Sequence, residues 1–162
     1  MYEFKQLSPA DFEDLTRDLL QKQWGIHLES FKNGRDQGID LRYSAIHAQN
    51  IIIQCKHFAG STVSKLVSEL RNKEAPKVAK LAPSRYILVT SLSLSPTDKD
   101  KIKSVLNPYI LTTQDIFGAG ELNNLLGLHP DIETKHFKLW LSSVECKTAC
   151  KTFQIPGVNS VQ

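Results

Sequence analysis

The stretch Ile51-Ile52-Ile53-Gln54-Cys55-Lys56-His57-Phe58 limits the fold more than any other part of the chain. Three consecutive β-branched residues favour an extended strand. Alternate residues of a strand share a face, so Gln54 and Lys56 project together from an otherwise apolar segment. Two arrangements satisfy that pattern. Either the pair lies on a solvated edge, or the strand holds an amide and an ammonium side by side in a site.

The surrounding segments predict mixed α and β structure. Ser8-Pro9-Ala10-Asp11 opens a helix, with Ser8 as cap, Pro9 at the first helical position and Asp11 closing a capping box. Phe12, Leu15, Thr16, Leu19 and Leu20 form one apolar arc at helical spacing. Gly25 to Phe31 reads as a first strand, and Lys32 to Gly38 as a turn rich in Gly, Asn and Asp. Ile39–Ser44 and Asn50–His57 read as two strands of a hairpin with its loop around His47. Residues 61–80 look helical, with Pro76 expected to kink or interrupt the helix. Arg85 to Ser91 is a β-branched, apolar run suited to a central strand. Pro96 starts another helix, Tyr109 to Thr112 suits a short strand, and helices fill 119–142. Residues 143–162 lose periodicity and read as a tail or the start of a linker, leaving 1–142 as one domain.

Composition restricts the class without naming a function. A chain of 162 residues, 41% hydrophobic and 23% charged, is long enough for one globular domain with a sizeable core. It has neither a membrane-length apolar run nor a signal-peptide core. Cys55, Cys146 and Cys150 lack framework or zinc-site spacing, so free thiols in a reducing, cytoplasmic setting are expected. The formal charge of +3 hides an asymmetry. The positive excess lies in residues 61–105, on Lys65, Arg71, Lys73, Lys77, Lys80, Arg85, Lys99, Lys101 and Lys103. A basic face of this kind suits a polyanion, and basic helices also serve as plain solvated faces.

Centring the hairpin loop on His47 sets Asp40 opposite Gln54. Directly opposed side chains lie about 5 Å apart at Cβ. Asp40, Gln54 and Lys56 then share one face, while Ile39, Leu41, Ile51, Ile53 and Cys55 share the other. On the first helix Glu13 falls at the border of the apolar arc, while Asp14 and Asp18 fall in solvent. Glu13 can therefore look along the surface toward a site beside the sheet, or pair with Arg17 one turn on. Taken singly, Asp40 suits a turn and Lys56 a strand edge.

The series formed by FEDLTRDLL with Glu13, then GRDQGIDLRY, IIIQCKHF and RYILVTS resembles the PD-(D/E)xK nuclease superfamily. Within it, the chain is most similar to the Mrr-like branch of restriction endonucleases, where a Gln replaces the middle acid. HFKLWLSS also resembles the close of nuclease domains that precede antiviral STAND-type NTPases. The resemblance implies a restriction-endonuclease-like α/β fold with an αβββαβ core. Its central sheet would be mixed, mainly antiparallel and flanked by helices. It further implies a metal-dependent DNA endonuclease of restriction or antiphage defence.

Carried over, the resemblance makes Asp40 the metal-binding carboxylate, Gln54 the second motif position, Lys56 the motif lysine and Glu13 the helix acid. Ile39 stands where the motif has Pro. The metal would be Mg²⁺, with Mn²⁺ as substitute, held by Asp40, Glu13, Gln54 and the Cys55 backbone carbonyl. Such hard cations prefer oxygen ligands. Asp36 is a substitute ligand, and Lys32 and Arg35 are candidate DNA phosphate contacts. DNA is the implied partner, a homodimer or an adjoining NTPase or sensor module is compatible with it, and no membrane is involved. Because Gln54 removes one negative charge, a non-cleaving nucleic-acid-binding or partner-docking module of the same fold is the alternative.

Overall fold

The computed structural model describes residues 1–31, 39–44, 50–58 and 60–141. The turn carrying Lys32, Arg35 and Asp36, the loop around His47, and the tail with Cys146 and Cys150 lie outside the described residues. Five strands form one sheet in sequence order: β1 (Glu29–Ser30), β2 (Leu41–Ser44), β3 (Asn50–Lys56), β4 (Arg85–Thr90) and β5 (Ile116–Phe117). The β1–β2 and β2–β3 pairs are antiparallel, and the β3–β4 and β4–β5 pairs are parallel. The sheet is thus mixed, as expected, but evenly divided rather than mainly antiparallel. β3 is where the direction of pairing changes.

Among the described residues seven α-helices frame the sheet: α1 (Pro9–Trp24), α2 (Val63–Glu69), α3 (Ala75–Leu81), α4 (Pro96–Val105), α5 (Ala119–Leu128), α6 (Pro130–Lys135) and α7 (Lys138–Leu141). On one face Leu41, Ile53, Cys55, Ile87 and Val89 pack with Phe12, Leu15 and Leu19 of α1 and Leu122 of α5. On the other, Ile52, Tyr86 and Leu88 pack with Leu66, Leu70, Val78 and Ile102. Ile39 packs with this second set, not with Leu41 as strict alternation predicted, because β2 begins only at Leu41.

Local chemistry sets several boundaries. Ser8 and Asp11 form the expected capping box, and Gly25 ends α1 in the left-handed conformation with φ of 64°. That turn takes the chain out of helix, so the first strand is only Glu29–Ser30. The helical stretch 61–80 is broken as Pro76 demands. A π-turn over Leu70–Glu74 separates α2 from α3, and Ala75 N donates to the Leu70 carbonyl five residues back. Tyr109–Thr112 is not a strand. Tyr109 accepts one bond from Tyr86 N, and then the buried Asp115 carboxylate accepts from Leu111 N and Thr112 N. Those bonds fold 111–115 into a turn and delay the strand to Ile116.

Asp18 corrects the helical-wheel reading. It is buried, not solvated, because α6 and its flanking residues cover that side of α1. Its carboxylate accepts from Arg17 Nε at 3.3 Å, Lys135 Nζ at 2.7 Å and His136 Nε2 at 2.9 Å. Burial alone would raise its pKa, but the hydrogen bonds from Lys135 and His136 and the charges of Arg17 and Lys135 hold it below the usual value. Removing one partner of a buried ionic cluster leaves the others uncompensated. Asp18→Asn should therefore cost roughly 1–3 kcal/mol, measured by urea unfolding at neutral pH. An unchanged midpoint would contradict this role.

Candidate functional site

β3 carries the candidate site at its C-terminal end. Its antiparallel register sets Leu41 against Ile53, Arg42 against Ile52, Tyr43 against Ile51 and Ser44 against Asn50, so the same register one step on sets Asp40 against Gln54. The parallel pairing on the other side runs the full strand, from Ile51 against Arg85 to Lys56 against Thr90. Ser91 N donates to the Lys56 carbonyl at 3.3 Å, fixing the point where β3 leaves the sheet. Pairing on both sides leaves the strand little freedom to slip.

Asp40 is buried and its Oδ2 accepts two bonds, from Gln54 Nε2 at 2.6 Å and from Cys55 N at 2.7 Å. Burial drives its pKa up to about 7. The Cys55 N–H and the Lys56 charge oppose that rise, while the charges of Glu13 and Glu74 add to it. Glu13 is half-buried on α1, and burial followed by Asp14 raises its pKa. Arg17 does not pair with Glu13; it binds Asp14 at 2.8 Å and Asp18. Glu13 therefore faces a cleft of about 230 Å³ lined also by Phe12, Cys55, Lys56, His57 and Glu69. Cys55 is a buried free thiol.

Lys56 points to the same end of the strand but binds elsewhere. Its Nζ lies 3.1 Å from Glu69 Oε1 and 2.9 Å from Glu74 Oε1. Burial would lower its pKa, yet the two glutamates more than offset this and hold it above the usual lysine value. Sequence reading missed both acids. Leu66, Leu70, Glu74 and Val78 recur every fourth residue, so Glu74 occupies the buried stripe of that helical stretch where an apolar residue would fit. That misplaced acid was the available signal, and Pro76 and the surrounding basic residues hid it.

The basic segment is also less free than its composition suggests. Lys77 binds Glu74, Arg85 binds Asp115 and Lys99 binds Glu121. Arg71 and Lys101 remain beside a groove between α2 and α4 that also includes Asp98, and Lys65, Lys73 and Lys80 are exposed.

Raising pH from below 3.8 to above 7 forces the folded protein to release a proton that the unfolded chain gives up earlier. Asp40 therefore costs stability progressively across that window. Asn at this position can accept both existing bonds through its single oxygen without carrying a charge. Asp40→Asn should unfold with the wild type near pH 4 and gain on it as pH rises, by roughly 2–4 kcal/mol above pH 8 in chelator-treated buffer. Thermal melts across this range test it, and a variant less stable than wild type at pH 8 would refute it.

The chain matches the restriction endonuclease family model of the Mrr catalytic type over residues 4–116, a span that includes Glu13, Asp40, Gln54, Lys56, Glu69 and Glu74. The uncharacterized protein y4cD of Sinorhizobium fredii (strain NBRC 101917 / NGR234) is 42% identical over 142 residues. That alignment covers 88% of this chain and 22% of the relative, so the chain spans about a fifth of that protein's length. With a mixed sheet of five strands among the described residues, flanked by helices, and a family match across most of those residues, the chain belongs to the Mrr-type restriction endonuclease family.

Proposed function

We propose that the domain is a metal-dependent DNA endonuclease that hydrolyses phosphodiester bonds, with Asp40, Glu13, Gln54 and Lys56 as its site. The observation that carries this reading is the meeting of three kinds of group at the end of one strand. These are a buried carboxylate held by Gln54 and Cys55, a second acid, Glu13, facing a cleft that Cys55 and Lys56 also line, and the charged lysine itself.

The donor set fits a hard divalent cation such as Mg²⁺ or Mn²⁺. Such an ion is commonly held by one or two carboxylates together with water and substrate phosphate. Asp40 and Glu13 both have pKa values raised first by burial, and a cation beside them would favour their ionised forms. Asp40, Glu13 and the Cys55 carbonyl would hold the ion. Gln54 commits its Nε2 to Asp40, leaving only Oε1 for a ligand role. Bound there, the cation would acidify the attacking water and offset charge on the phosphate.

The remaining chemistry falls to side chains. Gln54 and Cys55 N orient the Asp40 carboxylate. Lys56 is an ammonium, so it acts as hydrogen-bond donor and positive charge rather than as a base. In the displacement the new P–O bond forms as the P–O3′ bond breaks, leaving the 5′-phosphate that the family resemblance implies. Exposed Lys65, Arg71 and Lys101 supply sequence-independent phosphate affinity. A cytoplasmic restriction or antiphage setting, as a homodimer or beside an NTPase or sensor module, completes the proposal. No helix among the described residues is long and apolar enough to cross a membrane.

Cleavage of supercoiled plasmid with Mg²⁺ or Mn²⁺ tests the reading. Lys56→Ala should slow cutting on the order of 10²–10³-fold, as loss of a positioned electrostatic group does. Its DNA affinity should shift only a few-fold, because affinity rests on many phosphate contacts. Lys56→Arg should not rescue cutting, since a planar guanidinium cannot replace a compact ammonium. Asp40→Ala should also be inactive, with partial recovery in excess Mn²⁺. A wild type that binds DNA but never cuts in either metal would point instead to a binding module.

A further inference from the structure

We propose that Glu74, assisted by Glu69, is a positioning residue that fixes the direction of the Lys56 ammonium; the inference rests on the nuclease reading of the site. A lysine side chain is long and flexible, and its ammonium carries three donors about a freely rotating bond. Here two of the three are taken, by Glu74 Oε1 at 2.9 Å and Glu69 Oε1 at 3.1 Å. Two fixed acceptors set both the side-chain rotamer and the rotation of the ammonium. The third N–H is then aimed in one direction, on a group whose charge acts on the Asp40 carboxyl.

The placement of Glu74 is costly on packing grounds alone. Its side chain is only 4% exposed, and its position in the stripe of Leu66, Leu70 and Val78 would suit an apolar residue. Burying a carboxylate is unfavourable before pairing, and a buried pair is often no more stable than apolar residues of similar size. The backbone is adapted as well. The π-turn at Leu70–Glu74 sits directly before Ala75-Pro76, and π-turns are a recurrent way to redirect a helical side chain into a site. Lys77, half-exposed at 3.4 Å from the same Glu74 oxygen, balances the second charge from the solvent side. Glu69 is 25% exposed, so it contributes the weaker hold.

Two measurements on the whole chain separate positioning from simple stabilisation. In ¹⁵N-labelled wild type, a slowly exchanging Lys56 Nζ signal should be visible, identified by its absence from Lys56→Arg. Glu74→Gln should lose that signal and lower kcat for plasmid cleavage by roughly 10–100-fold, with KM within about twofold. Glu74→Asp keeps the charge but is one methylene shorter, so it should keep the fold and lose part of kcat. It decides the matter if the Gln variant does not fold. Glu69→Gln should show a smaller loss of the same kind. Wild-type kcat in Glu74→Gln, with only a lower melting temperature, would overturn the proposal and leave Glu74 as a stabilising pair. If the wild type itself does not cut, the nuclease reading fails separately. The Nζ signal then still decides: its persistence in Glu74→Gln rejects positioning, and its loss supports it.

Discussion

The hydrogen bond from Cys55 N to Asp40 Oδ2 ties the sheet to the site. A backbone amide at the end of β3 is satisfied not by a neighbouring strand on that side but by a carboxylate from the residue preceding β2. Slipping β3 by one residue would exchange Gln54 for Ile53 or Cys55 opposite Asp40, bury the wrong face of the strand and leave a carboxylate in an apolar wall. The register is therefore enforced twice, by the burial of Ile52 and Ile53 on opposite faces and by the need to satisfy Asp40. That double constraint answers why so apolar a strand ends in an amide and an ammonium. It is no solvated edge, since it pairs on both sides.

The two layers of helix meet the site differently. α1 brings Glu13 from the face of Leu41, Ile53 and Cys55, while α2 and the π-turn bring Glu69 and Glu74 from the face of Ile52 and Tyr86. Glu13 from one layer and Glu69 from the other line one cleft at the sheet's end. A cleft at the C-terminal end of β3, where parallel and antiparallel pairing meet, follows from topology before any chemistry is considered.

What the sequence made legible tracks the range of the interactions involved. The Ser8–Asp11 capping box, the Pro76 interruption and the β2–β3 register are decided within a few residues or by one short loop, and they could be read directly. Asp18 could not, because its burial depends on α6 folding back over α1 from more than a hundred residues away. The strand expected at Tyr109–Thr112 failed for a similar reason: the propensity was there, but Asp115 and Arg85 rearranged the segment. The Lys56 partners fall between these cases. The four-residue spacing of Leu66, Leu70, Glu74 and Val78 marks Glu74 as buried, yet a π-turn changes the phase of the helix between Glu69 and Glu74, so constant 100° steps do not bring both to Lys56.

Charge balance also accounts for the amide at position 54. Asp40, Glu13, Glu69 and Glu74 stand around the end of β3, where among the described residues Lys56 binds Glu69 and Glu74, Lys77 binds Glu74, and the Lys56 charge also acts on Asp40. With all six ionised the group carries a formal charge of −2, from four carboxylates and two ammoniums. An acid in place of Gln54 would add a fifth carboxylate 2.6 Å from Asp40, where two like charges cannot both ionise without a strongly raised pKa. It would also replace a donor to Asp40 with a competing acceptor and turn that hydrogen bond into a repulsion. The glutamates that hold Lys56 already supply negative charge at this end of β3, and a neutral donor at position 54 is the side chain consistent with them.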